Sequence, residues 1–281
     1  MGSPRPGAWL VLQVAAAGSL LALLLLPLAA LLTSVSPSAI GAAALAAGMR
    51  AALTFTLLAS AIALAVIAGL GLPLGYLLAR REFRGRTLVE SAVTLPIVLP
   101  HLVGGLALLF LFAPSSPLGA LAVRAGLPVV QTIWGTVLVM IFVSAPYAVL
   151  ASEATFRTVD ERLIETARSL GASPSTAFAT VTAPLAARGI SAGLLLSWAR
   201  SVSEIGGFLI LANVVYPSAG YGGPVTSPVS VYVFSLYQIG DLPGAAAAAS
   251  VLVLVAFALF VAARVAARRG SALWATVGRL V

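Results

Sequence analysis

The chain has 281 residues, 60% of them hydrophobic and only 9% charged, with a mean hydropathy of +1.09. A soluble domain of this size keeps about a quarter of its residues charged, so a water-facing globule is excluded and lipid must be the solvent for most of the chain. The net charge of +8 comes from 16 arginines and no lysine, set at the ends of apolar runs rather than on one face, which argues against nucleic acid as a partner; with no cysteine, disulfide and thiol chemistry are excluded.

Six runs are long enough to cross the hydrocarbon core as helices. Trp9–Leu32 is uncharged and follows Arg5; its apolar core exceeds the about 7–15 residues usual in a secretory signal, so it is read as a retained helix. Ala51–Ala79 is also uncharged. Ser91–Phe112 contains His101 as its one titratable group, preceded by Pro96 and Pro100. Each proline frees a carbonyl four residues earlier, at Ala92 and at Pro96, and is expected to kink the helix. Freed carbonyls at membrane depth are tolerated only beside protein or water, so this kink either lines a pathway or its gate, or serves packing alone. A single histidine builds no multi-histidine metal site, and His101 is expected to be hydrogen-bonded rather than a ligand.

Ile133–Ala151 is the fourth run, and Gly189–Leu211 the fifth. The fifth holds Arg200 and Glu204, spaced to meet on one helical face. Arg200 lies twelve residues past Arg188, roughly 18 Å into a core about 30 Å thick. A charge at that depth must face a partner or a watery path. The two residues are therefore either a self-neutralising structural pair or part of a path in which Arg200 offers N–H donors to a passing oxyanion. Gly189 and Gly193 form a G-x-x-x-G that permits close helix contact, which in so glycine-rich a chain does not assign a dimer face. Pro243–Ala263 is the sixth run. Val225–Ile239 is too short to span and carries Pro228, so it is expected as a short or re-entrant helix.

Arginine placement orients the spans. Arg80, Arg81, Arg84 and Arg86 crowd one loop, Arg157, Arg162, Arg168 and Arg188 another, and Arg264, Arg268, Arg269 and Arg279 the tail. The opposite loops hold Arg50 and Arg124. The expected molecule is one transmembrane domain over residues 1–281 of the plasma or inner membrane, with both termini cytoplasmic.

The segment 152–188 is the polar exception. Leu163, Ile164, Ala167 and Leu170 recur at helical spacing among charges, and Gly171 supplies a helix stop. Ser173-Pro174 restarts a helix that carries Phe178 and Val181 and is expected to stop before Pro184. Two short capped helices with an apolar stripe suggest a docking surface, where a plain connection would run a few residues. A phosphate-cradling G-x-x-x-x-G-K-[ST] loop needs a lysine that the chain lacks, and neither H-E-x-x-H nor G-x-S-x-G occurs. No catalytic, cofactor or metal residue is expected, and the energy must come from a partner or a gradient.

Glu165-Thr166-Ala167, three residues, Gly171, nine residues and Val181-Thr182-Ala183-Pro184 resemble the EAA loop of ABC importer permeases, E-A-A-x3-G-x9-I-x-L-P. Thr166, Val181 and Ala183 depart from the pattern. With the L-P-x-V-x-P-H stretch at Leu95–His101 and the W-A-R-x-x-x-E-x-G stretch at Trp198–Gly206, the chain from about Arg50 to the last span resembles tungstate/molybdate permeases, with sulfate permeases next. The resemblance implies an all-α type I permease fold of six transmembrane helices, a homodimer, two ATP-binding cassette subunits that bind ATP and Mg, and an external oxyanion-binding protein. It implies that Glu165, Ala167, Gly171 and Pro184 couple to the ATPase, and that Arg200, Glu204, Pro96, Pro100 and His101 border the path. The rivals are the same machinery with another cargo and a gradient-driven transporter. For the latter no second copy of the span-three proline pattern is found. A membrane enzyme has no chemical constellation to support it.

Overall fold

In lipid a backbone must satisfy its own polar groups, and alanine- and leucine-rich runs do so as helices. The computed structural model, which describes residues 7–277, forms them that way. The helices are α1 (Ala8–Thr33), α2 (Pro37–Leu45), α3 (Ala47–Arg80), α4 (Arg86–Val98), α5 (His101–Phe112), α6 (Pro117–Arg124) and α7 (Ile133–Arg157). There follow α8 (Glu161–Ser169), α9 (Pro174–Ala177), a π turn (Phe178–Thr182), α10 (Ala183–Val202), α11 (Gly206–Leu211), α12 (Val229–Gln238) and α13 (Leu242–Val277). Among the described residues, five helical segments are long and apolar enough to cross a membrane, or six if the bent pair α4–α5 counts as one span.

The chain divides into two compact units. One takes the chain up to Ala46 with Val233–Ala256; there α1 leaves its leucines from Leu10 to Leu28 exposed, the surface expected of a helix made for lipid. The other takes Ala47–Tyr232 with the chain from Phe257. Its core gathers Phe55 of α3, Ile133 and Met140 of α7, Phe208 and Leu211 of α11, and Val215 and Tyr221 from the connection to α12. Phe55 and Tyr221 meet edge to face with centroids 5.0 Å apart.

Small residues let α3 and α10 close on α7. A methyl group added at Gly75 would overlap Ser152, one at Gly189 would overlap Thr155, and one at Gly193 would overlap Ala151. The G-x-x-x-G of α10 is thus used within the chain, as close contact between apolar helices in lipid requires.

Three expectations are corrected. The run 91–112 breaks more sharply than a kink, into two helices bent by 114°. Pro96 stays inside α4, whereas Leu99 is extended (φ −70°, ψ 137°) because the residue before Pro100 is pushed from the helical region, and α5 starts afresh at His101. The run 189–211 likewise breaks at Ser203–Ile205: α10 ends at Val202 and α11 begins at Gly206. Lastly, the helix begun at Pro174 does not stop before Pro184. It widens into the π turn, where Ala183 N–H reaches back to Phe178 O. A ring without an N–H crowds the carbonyl four residues back, and the wider turn seats Pro184 without ending the helix. Helices overlap the segment 152–188 at both ends, since α7 runs on to Arg157 and α10 starts at Ala183.

Candidate functional site: a charged triad at two helix breaks

The breaks in the third and fifth spans come together. At Gly206 an added methyl would meet the His101 Cβ at 2.8 Å, and at Gly105 one would meet the Gly207 Cα at 2.8 Å. Glycine at these positions permits the close approach of α5 and α11. Into this junction the chain places His101, Arg200 and Glu204. Arg200 Nη2 donates to Glu204 Oε2 at 2.8 Å and lies 2.7 Å from His101 Nε2, while His101 Nδ1 is 3.2 Å from the same carboxylate oxygen. The carboxylate of Glu204 is fully buried, the Arg200 side chain is 16% exposed and that of His101 46%. Burying a charge this completely is tolerable only with partners, and Glu204 has them on every side. Its Oε1 accepts the Gly207 N–H at 2.8 Å, and its backbone carbonyl accepts from Ser230 Oγ of α12 at 2.5 Å. Among the described residues, Arg200 Nη1 has one long contact, to Ser203 Oγ at 3.4 Å, and Nε has no hydrogen-bond partner. The arrangement is a buried anchor holding an arginine and a half-exposed imidazole, and its spare N–H groups suit an anion.

The expected Arg200–Glu204 contact is present, although Glu204 stands past the end of α10. Pro100 forms the break that frees His101 to reach the pair. Pro96 and Ala92 line an apolar cleft with Leu70, Phe142 and Pro146, a lining that includes none of the three triad residues. Two further residues belong to the site: Ser203 at the break and Ser230. The bond from Gly207 N–H to Glu204 Oε1 falls in the first turn of α11 and helps to hold the break, which nothing in the sequence had marked.

The polar segment is built separately. Asp160 caps α8 by accepting the Arg162 N–H, and Ser173 caps the next helix by accepting the Thr176 N–H. Ile164 packs inward on the small core of Phe156, Val159 and Ala186, as do Tyr76 and Phe178, with Tyr76 edge-on to Phe156 and Phe178 at 5.1 Å each. Leu163 (49% exposed) and Leu170 (84% exposed) point outward, so the apolar stripe of α8 is only half used within the chain. Glu165 is exposed and, among the described residues, has no ion pair; Ala167 is half-buried, and Gly171 lies in the left-handed region at φ +93°.

Two charge clusters tie this end of the molecule together. Arg86 of α4 pairs with Glu82, with Glu90 at 2.9 Å and with Glu153 of α7 at 3.5 Å, and Arg157 joins Glu153 at 2.5 Å. Arg80 at the end of α3 donates to the Val159 carbonyl at 2.7 Å and to Glu161 at 3.1 Å. Glu161 is 68% exposed, so its pair contributes about 0–1 kcal/mol, whereas the charged bond to the Val159 carbonyl contributes about 1.5–3 kcal/mol. Arg80→Gln is therefore expected to raise amide exchange in α8 about tenfold while α3 and α7 stay protected, and Glu161→Gln to change it little. Hydrogen–deuterium exchange of the two variants reads this directly.

Residues 71–271 match the family described as binding-protein-dependent transport system inner membrane component. The chain belongs to that family. It is a multi-pass membrane permease component of an ABC importer, and its relatives narrow the setting. It is 36% identical over 228 residues to a probable molybdenum ABC transporter permease protein of Haloferax volcanii, covering 81% of this chain and 80% of that one. It is 38% identical over 190 residues to a molybdate/tungstate transport system permease protein of Thermococcus kodakarensis, covering 64% and 71%. A probable sulfate transport system permease protein of Zygnema circumcarinatum is 32% identical over 205 residues, covering 73% and 68%. The fold matches a chain in the crystal structure of a bacterial ABC transporter that imports the acidic polysaccharide alginate, with a TM-score of 0.70 at 18% identity, over 93% of this chain and 96% of that one.

Proposed function

We propose that this permease conducts a tetrahedral oxyanion, molybdate or tungstate, with Arg200 as the donor that the anion meets at mid-membrane. The observation that carries the reading is the triad itself. An arginine with unspent N–H groups, anchored by a buried glutamate at the junction of two broken helices, offers what an oxyanion needs and little that a neutral solute would use. The names of its relatives support the same class of cargo.

ATP and Mg are bound by two separate cassette subunits in this reading, an external binding protein selects the anion, and two copies of the chain enclose the path. The arginine-rich loops face the cytoplasm with both termini, which turns the exposed Leu163 and Leu170 of α8 toward the ATPase cleft. Glu165, Ala167, Gly171 and Pro184 form the coupling segment.

The test is uptake into vesicles by the chain reconstituted with its cassette and binding proteins. ATP-dependent molybdate or tungstate uptake that survives a protonophore, with sulfate competing weakly, is the expected result. Uptake that collapses with the proton gradient, or proceeds without a cassette subunit, overturns the reading. Sulfate as the preferred cargo would reassign the anion within the same machinery, in keeping with the sulfate relative.

A further inference from the structure

We infer that Thr56 and Ser230 are positioning residues for the anion site: through the first turn of α12 they hold the backbone at Glu204, and with it the guanidinium of Arg200. The inference rests on the oxyanion reading above and begins at the second helix break. Ser203, Glu204 and Ile205 lie between α10 and α11 and belong to neither. The Glu204 N–H reaches the Ser201 carbonyl at a long 3.4 Å. The Glu204 carbonyl takes its proton from another element, from Ser230 Oγ at 2.5 Å. The anchor of Arg200 is thus fastened at its main chain by a hydroxyl of α12.

That hydroxyl is itself held in place. Ser230 is the second residue of α12, and the N–H of the first, Val229, is one that a helix cannot satisfy internally. Thr56 of α3 supplies the acceptor. Its Oγ1 receives the Val229 N–H at 2.9 Å and gives its own proton to the Ala52 carbonyl at 2.7 Å. One turn along α3, Ser60 Oγ accepts Trp198 Nε1 of α10 at 3.1 Å, two residues before Arg200. Ser197, next to that tryptophan, ties α10 to α7 by donating to the Ser144 carbonyl at 2.8 Å. The result is a closed frame around the break. It runs from α3 through Thr56, Val229 and Ser230 to Glu204, then through Arg200 to Trp198, and returns to α3 at Ser60.

Thr56, Ser60 and Glu204 are buried, and a polar group left alone inside a membrane protein has no water to turn to. Hydrogen bonds between membrane helices are individually weak, so the place of these bonds matters more than their strength. The helices are held together elsewhere, as where Gly75 of α3 closes on Ser152 of α7. The frame instead fixes a stretch that has no helix to hold it. Without the Ser230 hydroxyl the buried Glu204 carbonyl is unpaired, and the linker must shift until that carbonyl finds another donor. The carboxylate moves with its backbone, and Arg200, bonded to it at 2.8 Å, moves too. Loss of Thr56 Oγ1 acts one step earlier, because the first turn of α12 then loses its hold on α3.

The transporter reconstituted with its cassette and binding proteins tests this through the ratio of molybdate imported to ATP hydrolysed. Ser230→Ala and Thr56→Val are each expected to lower that ratio about tenfold, which corresponds to about 1.4 kcal/mol. Ser230→Thr and Thr56→Ser keep the hydroxyl and are expected to keep most of the ratio. An unfolded fraction lowers uptake and hydrolysis together, so a purely structural role leaves the ratio where it was. A wild-type ratio in either Ser230→Ala or Thr56→Val overturns the inference, and so does an equal fall in the variants that retain the hydroxyl. Those results, in a transporter that imports molybdate, remove the frame alone. If the wild-type transporter imports no oxyanion, or if Arg200→Gln with Glu204→Gln transports normally, the substrate reading falls and this inference falls with it.

Discussion

Replacing Arg200 by alanine is expected to lower uptake by the reconstituted transporter at least about a hundredfold. Near 1.4 kcal/mol for each tenfold change, that is the loss of about one charged hydrogen bond to the cargo. The single variant has a second effect that must be separated from the first. Glu204 is fully buried, and without Arg200 it loses its guanidinium partner, a change that costs about 3–5 kcal/mol in buried pairs. Some of the loss in Arg200→Ala will therefore be loss of folded protein. The double variant Arg200→Gln with Glu204→Gln removes both charges and keeps both shapes, so the junction of α5 and α11 is expected to refold to wild-type thermal stability within about 1 kcal/mol. Uptake in the double variant decides between two roles. If the pair exists only to neutralise itself inside the membrane, the folded double variant transports. If Arg200 meets the anion, the protein is stable and inactive, and Arg200→Lys recovers only part of the rate because an ammonium lacks the planar fork. A stable double variant with normal uptake would remove Arg200 from the path.

How far the site could be seen in advance follows from how far apart its parts lie in the chain. Arg200 and Glu204 are four residues apart, and the helical period alone predicted their contact, which survives even though α10 ends between them. The imidazole is 99 residues from Arg200, and its arrival depends on two helix breaks at once. Pro100 announced the first break, although as a kink rather than a turn of 114°. The second was hidden, because Gly206-Gly207 inside an apolar run reads as the ordinary glycine content of membrane helices. Ser230, bonded to the Glu204 carbonyl from 26 residues further on, left no signal in the sequence. The tie from Arg80 to the Val159 carbonyl was equally unannounced, since a lone arginine at a helix end satisfies the orientation rule wherever its head points. Local rules read local partners; the long-range ones were fixed by packing of small residues whose identity, glycine against threonine or serine, says little until the helices are laid together.

The turn at Gly171 is where the largest effect on coupling is expected. Ala172 N–H bonds the Ala167 carbonyl and Gly171 N–H bonds the Arg168 carbonyl, each at 3.0 Å, which closes the end of α8 with the left-handed residue at Gly171. An added side chain would meet nothing within 4 Å, so any strain of substitution is backbone strain confined to an exposed turn. A left-handed residue with a Cβ costs roughly 1–2 kcal/mol, and a β-branched one most of all. Gly171→Val should relieve that strain by reopening the turn, releasing the Ala167 and Arg168 carbonyls and changing the angle between α8 and the helix that runs from Pro174 into α10. Since α10 carries Arg200, a force delivered to α8 would then reach the triad through a misaligned lever. The expected phenotype is a fully inserted protein whose partner ATPase still hydrolyses ATP while uptake falls tenfold or more. Gly171→Asn, which tolerates the left-handed region, should retain most of it. Measuring ATP hydrolysed per anion imported separates this outcome from simple instability, because an unfolded fraction lowers both rates together and leaves their ratio unchanged. A Gly171→Val transporter with the wild-type ratio would mean that α8 and its turn carry no force, and that the coupling segment must be sought in the Arg80–Arg86 loop instead.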